Sequence, residues 1–144
     1  LPVDAAVPAK VAAGDFSPEV NTAMLVDINE VKTIPHSPSA VLIDSRERER
    51  FLGQHEPIDP IAGHINGAVN FPWQQVSDQQ GFMQSVVQQC WDDVLAQDDI
   101  VVYCGSGVTA CVNLLALAES GREDARLYAG SWSDWCSYLL LDKN

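Results

Sequence analysis

A chain of 144 residues that is 47% hydrophobic, with no visible repeat and few low-complexity tracts, predicts one globular domain with a sizeable core. A net charge of -12, from 8 Lys and Arg against 20 Asp and Glu, argues against a nucleic-acid or anionic-membrane surface, and the apolar stretches are too short to span a bilayer. The 4 Cys, at positions 90, 104, 111 and 136, show no Cys-x-x-Cys pairing and the 3 His are scattered, so neither a metal site nor a cofactor is predicted.

Leu1 to Pro18 is rich in Ala, Pro and Val without a sustained period and predicts an extended arm or linker, which leaves residues 20–144 as the domain. From Asn21 a helix is expected, with Met24, Leu25, Ile28 and Val31 at helical spacing and an end before Pro35. Ala40 to Ile43 reads as a compact apolar strand with Asp44 at its carboxyl end, where open parallel sheets tend to place ligand-facing groups. The charges of Ser45-Arg46-Glu47-Arg48-Glu49-Arg50 read mostly as a solvated, self-paired helical turn.

Ala68 to Phe71 predicts a short strand and Pro72 the start of a helical turn. Gly81 to Ala96, with Phe82, Val86, Val87, Cys90, Trp91, Val94 and Leu95, predicts an amphipathic helix covering one face of the sheet, with Cys90 in the core.

Ile100 to Tyr103 is β-branched and aromatic after an acidic turn and predicts a buried parallel strand ending at Cys104. Gly105 and Gly107 then turn the chain, and Val108 to Ala118 is apolar enough for a buried helix closed by Gly121. A cysteine between a strand end and a helix start faces unpaired amides and the positive end of the helix dipole, a setting that favours a thiolate. From position alone, a nucleophile and a buried structural cysteine are equally compatible with Cys104. Cys111 lies seven residues on, roughly 10 Å along a helix axis, and reads as core. Ala125 to Tyr128 predicts a last strand, and Ser131 a cap for a final helix through Leu140 that holds Trp132 and Trp135 in the core and leaves Cys136 partly exposed. The alternation of strands and helices predicts an α/β domain with a largely parallel sheet.

Cys104-Gly105-Ser106-Gly107-Val108-Thr109-Ala110-Cys111 resembles the active-site loop of the rhodanese superfamily in its mercaptopyruvate-sulfurtransferase form. Leu42 to Arg46 with Arg50-Phe51, Gly63 to Trp73 and Leu127 to Trp135 match the same family in the same order. The resemblance implies a central, mostly parallel sheet with helices on both faces. It implies an enzyme that moves a sulfane sulfur from mercaptopyruvate or thiosulfate through a Cys104 persulfide to a thiol, thioredoxin or cyanide. It also implies that this chain is the second unit of a two-domain protein, with part of the connector attached. A reactive thiol suits a reducing compartment, which makes the cytoplasm the expected location.

Further roles follow from the resemblance. Arg50 aligns with an arginine that binds the substrate carboxylate, while Ile58, after Glu56-Pro57, stands where the family carries a second one. His64 is structural in the Gly-His-Ile turn, where Asn66 replaces proline. Cys104 would sit under amides from Gly105 to Ala110, with Gly105, Ser106, Gly107, Val108 and Thr109 forming the substrate cradle and the Ser106 and Thr109 hydroxyls either bonding charge or capping the helix start. Phosphatases that share the fold need an arginine six residues after the cysteine, and that position is Ala110. A non-catalytic regulatory or binding module, or a persulfide carrier that depends on a partner domain, is the remaining alternative.

Overall fold

The computed structural model of the chain describes residues 14–83 and 87–141, with side chains throughout except at 87–90. The elements are α1 (Ile28–Thr33), β1 (Ala40–Asp44), α2 (Arg48–Phe51), β2 (Val69–Asn70), α3 (Val87–Leu95), β3 (Asp99–Tyr103), α4 (Ala110–Glu119), β4 (Arg126–Leu127) and α5 (Ser131–Leu141). Residues 14–19 carry no helix or strand; positions 1–13 of the predicted arm, residues 84–86 of the predicted Gly81–Ala96 helix and the side chain of Cys90 lie outside the described set.

The four strands form one parallel sheet in the order β2-β1-β3-β4, with Leu42 beside Val101 and Ile43 beside Val102. Because strand side chains alternate, Leu42, Val101 and Tyr103 enter one core with Ile28 and Val31 of α1 and Trp132 and Cys136 of α5. Ile43, Ile100, Val102 and Cys104 enter the other, with Trp91 and Val94 of α3 and Ala116 and Leu117 of α4. Both faces are therefore covered, as parallel sheets require. The outer edge of β4 is closed by a parallel bridge from Leu25 to Leu127 and by the Val26 amide bonding to the Leu127 carbonyl at 3.0 Å.

Several local expectations change. The helix expected from Asn21 is instead a 3-10 turn at Thr22–Met24 followed by α1, with Pro35 inside a second turn at Ile34–His36. The break is at Asp27, which accepts from the Asn29 and Glu30 amides while the Glu30 carboxylate accepts from the Asp27 amide, a capping box that starts a new helix. Gly81, Phe82 and Met83, expected in helix α3, lie outside any helix, and Phe82 is exposed. Helix α4 begins at Ala110, two residues late, because Gly105 to Thr109 loop around the cysteine. It ends where the Gly121 amide bonds to Ala118 and the Arg122 amide to Leu117, a paired C-terminal closure. Among the described residues no helix is long and apolar enough to cross a membrane.

The charged segment after β1 is also not what local pattern implies. Arg46 is 1% exposed, and its guanidinium bonds to the Asp44 carboxylate at 2.6 and 3.1 Å, to Glu56 at 3.2 Å and to the Gly63 carbonyl at 2.7 Å. It stacks over Trp132 at 4.8 Å. Asp44, expected to face ligand, is fully buried in this pairing. Cys136 is buried rather than partly exposed, and Cys111 is exposed rather than core, with its sulfur 3.4 Å from the Gly107 carbonyl.

Candidate active site

Strand β3 is an inner strand, and its carboxyl end delivers Cys104 to the floor of a cavity of about 200 Å³. Cys104 is 1% exposed and lines that cavity. The residue belongs to the α3/α4 core on one side and to the cavity floor on the other.

Burial pushes the Cys104 thiol up. The Thr109 hydroxyl and the amides of Ala110, Ser106 and Gly107 bond the sulfur and outweigh burial, so the thiol titrates below its ordinary value. Thr109 stands at the start of α4 but makes no capping bond; its hydroxyl serves the sulfur instead. Ser106 contributes its amide and also lines the cavity.

The loop takes this course because its backbone is held from behind. The Trp132 amide bonds to the Cys104 carbonyl at 3.0 Å, the Ser133 amide to the Gly105 carbonyl at 2.9 Å, and the Cys104 amide to Ser131 Oγ at 3.1 Å. Gly107 has φ 79°, and a Cβ there would stand 2.5 Å from the Ala129 carbonyl oxygen. Only glycine fits both demands. Ser131 does not cap α5 as expected. It has φ 57°, and its hydroxyl turns back to the Tyr128 carbonyl at 2.9 Å.

Arg50, Ile58, Val108 and Ser133 make up the walls with Gly105, Ser106 and Thr109. Arg50 reaches across from α2, its guanidinium 3.4 to 3.5 Å from where a Gly105 Cβ would be. It is already paired. Nε and Nη2 donate to the Glu56 carboxylate at 3.2 and 2.7 Å, Nη2 faces Asp59 at 3.5 Å, and among the described residues Nη1 has no bond. Glu56 also accepts from the Ile58 and Asp59 amides at 3.1 and 3.2 Å, which sets the turn carrying Ile58. Burial raises the Glu56 carboxyl, but the Arg50 guanidinium and the two amides bring it below its ordinary range, so it is ionised at neutral pH.

Ile58 and Val108 are 72% and 71% exposed and give the mouth an apolar rim. His64 stays out of the cavity; its Nδ1 is 2.8 Å from the Phe51 carbonyl and its ring stacks on Phe51 at 3.8 Å. Ala110, where a phosphatase needs arginine, is buried and offers only its amide.

The cavity thus brings together Arg50, Cys104, Gly105, Ser106, Val108 and Thr109, while Gly107 acts from the side through its amide. Sequence reasoning missed Ser133 and the tethering role of Ser131, although both lie in the matched Leu127–Trp135 segment. It missed Glu56 as the anchor of Arg50, for which the signal was the Glu-Pro ahead of Ile58. Among the described residues no Asp, Glu or His lines the cavity, and the arrangement favours the thiolate form of Cys104 through hydrogen-bond donors.

The family model described as "Rhodanese-like domain" matches residues 27–138. A probable 3-mercaptopyruvate sulfurtransferase from Pseudomonas aeruginosa is 42% identical over 85% of this chain and 45% of its own length. The rat thiosulfate sulfurtransferase is 32% identical over 83% of this chain and 43% of its own. The crystal structure of SseA from Escherichia coli, a 3-mercaptopyruvate sulfotransferase, superposes with a TM-score of 0.68 at 32% identity, covering 87% of this chain and 48% of SseA. The chain spans about half the length of the relatives it matches. With fold, loop and matched residues in agreement, the chain belongs to the rhodanese-like domain family.

Proposed function

We propose that this chain carries the reactive unit of a sulfurtransferase that accepts a sulfane sulfur from mercaptopyruvate or thiosulfate and passes it on through a persulfide on Cys104. The observation that carries the reading is the set of donors aimed at one sulfur, the Thr109 hydroxyl and the amides of Ala110, Ser106 and Gly107. Such a set stabilises an anion at the thiolate and, one bond farther out, at the terminal sulfur of a persulfide.

In the first step the Cys104 thiolate attacks the outer sulfur of the donor and forms an S–S bond. With thiosulfate the old S–S bond breaks and its electron pair leaves on sulfite. With mercaptopyruvate the C–S bond breaks, its pair stays on carbon as an enolate, and the former thiol proton completes pyruvate. In the second step a thiol, thioredoxin or cyanide attacks the outer sulfur, and the Cys104 thiolate departs. No metal or cofactor enters either step.

Arg50 offers Nη1 to an anionic group of the donor, and Gly105, Ser106, Gly107, Val108 and Thr109 shape the cradle. The domain comprises residues 20–144, with residues 1–19 as a connector to a second rhodanese unit. Because the persulfide cycle needs a free thiolate, we assign the protein to the reducing cytoplasm.

The test is sulfide release from mercaptopyruvate and thiocyanate formation from thiosulfate plus cyanide, for the native chain and Cys104→Ser. Transfer with at least one donor that vanishes in the serine variant supports the reading; transfer that persists removes Cys104 from the mechanism. The absence of an acid or base from the cavity lining favours a second reading, a sulfur carrier whose site is completed by the companion unit. A native chain that is inert in turnover yet gains one sulfur atom at Cys104 by mass would select it.

A further inference from the structure

We infer that Ser131 is a positioning residue for Cys104, its hydroxyl inserted as a spacer in the β3–β4 ladder so that the cysteine stands clear of β4 and over the loop amides. The inference rests on Cys104 being the nucleophile.

The ladder itself makes the case. Strands β3 and β4 pair in parallel, Val101 beside Arg126 and Val102 beside Leu127, and the Tyr128 amide continues the pattern by bonding to the Val102 carbonyl at 3.0 Å. The next rung of a parallel ladder would run from the Cys104 amide directly to the Tyr128 carbonyl. It does not form that way. The Cys104 amide donates to Ser131 Oγ at 3.1 Å, and that hydroxyl donates to the Tyr128 carbonyl at 2.9 Å. One oxygen atom occupies the rung, satisfies both backbone groups and holds the two strands apart at the residue whose sulfur must meet the loop.

The placement is costly for any residue with a side chain. Ser131 is the one non-glycine residue with positive φ among the described residues, at 57°, and it is fully buried. Glycine would hold that backbone without strain, so the hydroxyl is the reason for a serine. The surrounding turn enforces the conformation. The Tyr128 hydroxyl donates to Asp134 at 2.6 Å, and the Asp134 amide bonds to the Gly130 carbonyl at 3.1 Å. The adjoining Trp132 and Ser133 amides fix the Cys104 and Gly105 carbonyls, so both ends of the Cys104 residue are tied to this one turn.

The test compares Ser131→Ala, which removes the hydroxyl and keeps the strained backbone, with Ser131→Gly, which removes both. The readout is the pH dependence of alkylation at Cys104, followed on its own peptide by mass, which needs no turnover. In both variants the midpoint should rise by about half to one pH unit, the shift expected from weakening one hydrogen bond to a thiolate. A through-bond coupling between the Cys104 amide nitrogen and the Tyr128 carbonyl carbon, absent in the native chain, should appear as the rung closes.

An unchanged midpoint in folded Ser131→Gly overturns the inference, as does a shift in the alanine variant that glycine restores to native. If alanine prevents folding, the strain-free glycine variant carries the test alone. Failure of native sulfur transfer would sink the proposed function but leave this measurement intact.

Discussion

The two sides of the Cys104 cavity are built on different principles. On the α4 side, charge is met mainly by main-chain amides, set by a glycine that tolerates φ 79° and by a turn that grips the backbone from behind. On the α2 side it is met by side chains, where Arg46 and Arg50 share Asp44, Glu56 and Asp59. The first side is a receptor with unused capacity. The second is largely satisfied internally, with one guanidinium nitrogen left over. The lesson is that favouring an anion at Cys104 is a property of the fold, whereas on the proposed function the choice of donor rests on a few replaceable side chains.

The comparison can be broken first on the ionic side. Arg46→Met should leave the buried Asp44 carboxylate without its guanidinium and cost about 3–5 kcal/mol in chemical denaturation. A loss under about 1 kcal/mol would mean that the network is decoration. On the backbone side, Gly107→Ala meets both the positive φ and the Ala129 carbonyl and should cost about 1–3 kcal/mol. Cys104 alkylation should also move to higher pH; a stable variant with native reactivity would detach Gly107 from the amide ring.

A third prediction concerns acid. Because the folded Glu56 carboxyl lies below its ordinary value of 4.5, its ion pairing adds stability that is full above that value and is lost as pH falls through the folded one. Glu56→Gln should therefore be less stable than native at neutral pH, with the gap closing in acid. A gap of constant size across the titration would assign the loss to packing.

The smallest expected effect is a gain. Ile58→Arg should lower KM for mercaptopyruvate by about tenfold, the worth of one added charge-assisted hydrogen bond, with kcat little changed. An unaltered KM would mean that the donor carboxylate does not lie along this wall.

These two sides were unequally legible. The continuous apolar runs of Ala40 to Ile43 and Ile100 to Tyr103, and a strand ending at cysteine before a glycine-rich turn, state two buried strands and the place of Cys104 directly. Local pattern is enough there because a short, wholly apolar run bounded by turns is the signature of a strand buried on both faces. Arg46 defeats the local pattern because i,i+3 and i,i+4 spacing describes a solvated helix, while its partners are Asp44 at the strand end two residues back and Glu56 and Gly63, 10 and 17 residues away in a loop with no period. Ser131 was misread for a related reason. A serine ahead of a helix predicts a cap, and only the tertiary position of Cys104 diverts the hydroxyl. The break before α1 is legible in the capping-box spacing of Asp27 and Glu30, but the apolar period that runs through them hides it.

One consequence follows from making the sulfur's receptor largely of peptide groups. Peptide nitrogens neither gain nor lose protons across the range in which proteins stay folded, and a threonine hydroxyl is equally indifferent. Acidification can silence the nucleophile by protonating it, or loosen the Arg50 wall through Glu56, yet the pocket's appetite for negative charge stays constant. On the proposed function, a persulfide at Cys104, with a more acidic terminus than the parent thiol, should remain ionised, and so retained, at acidities where the empty site has already gone quiet.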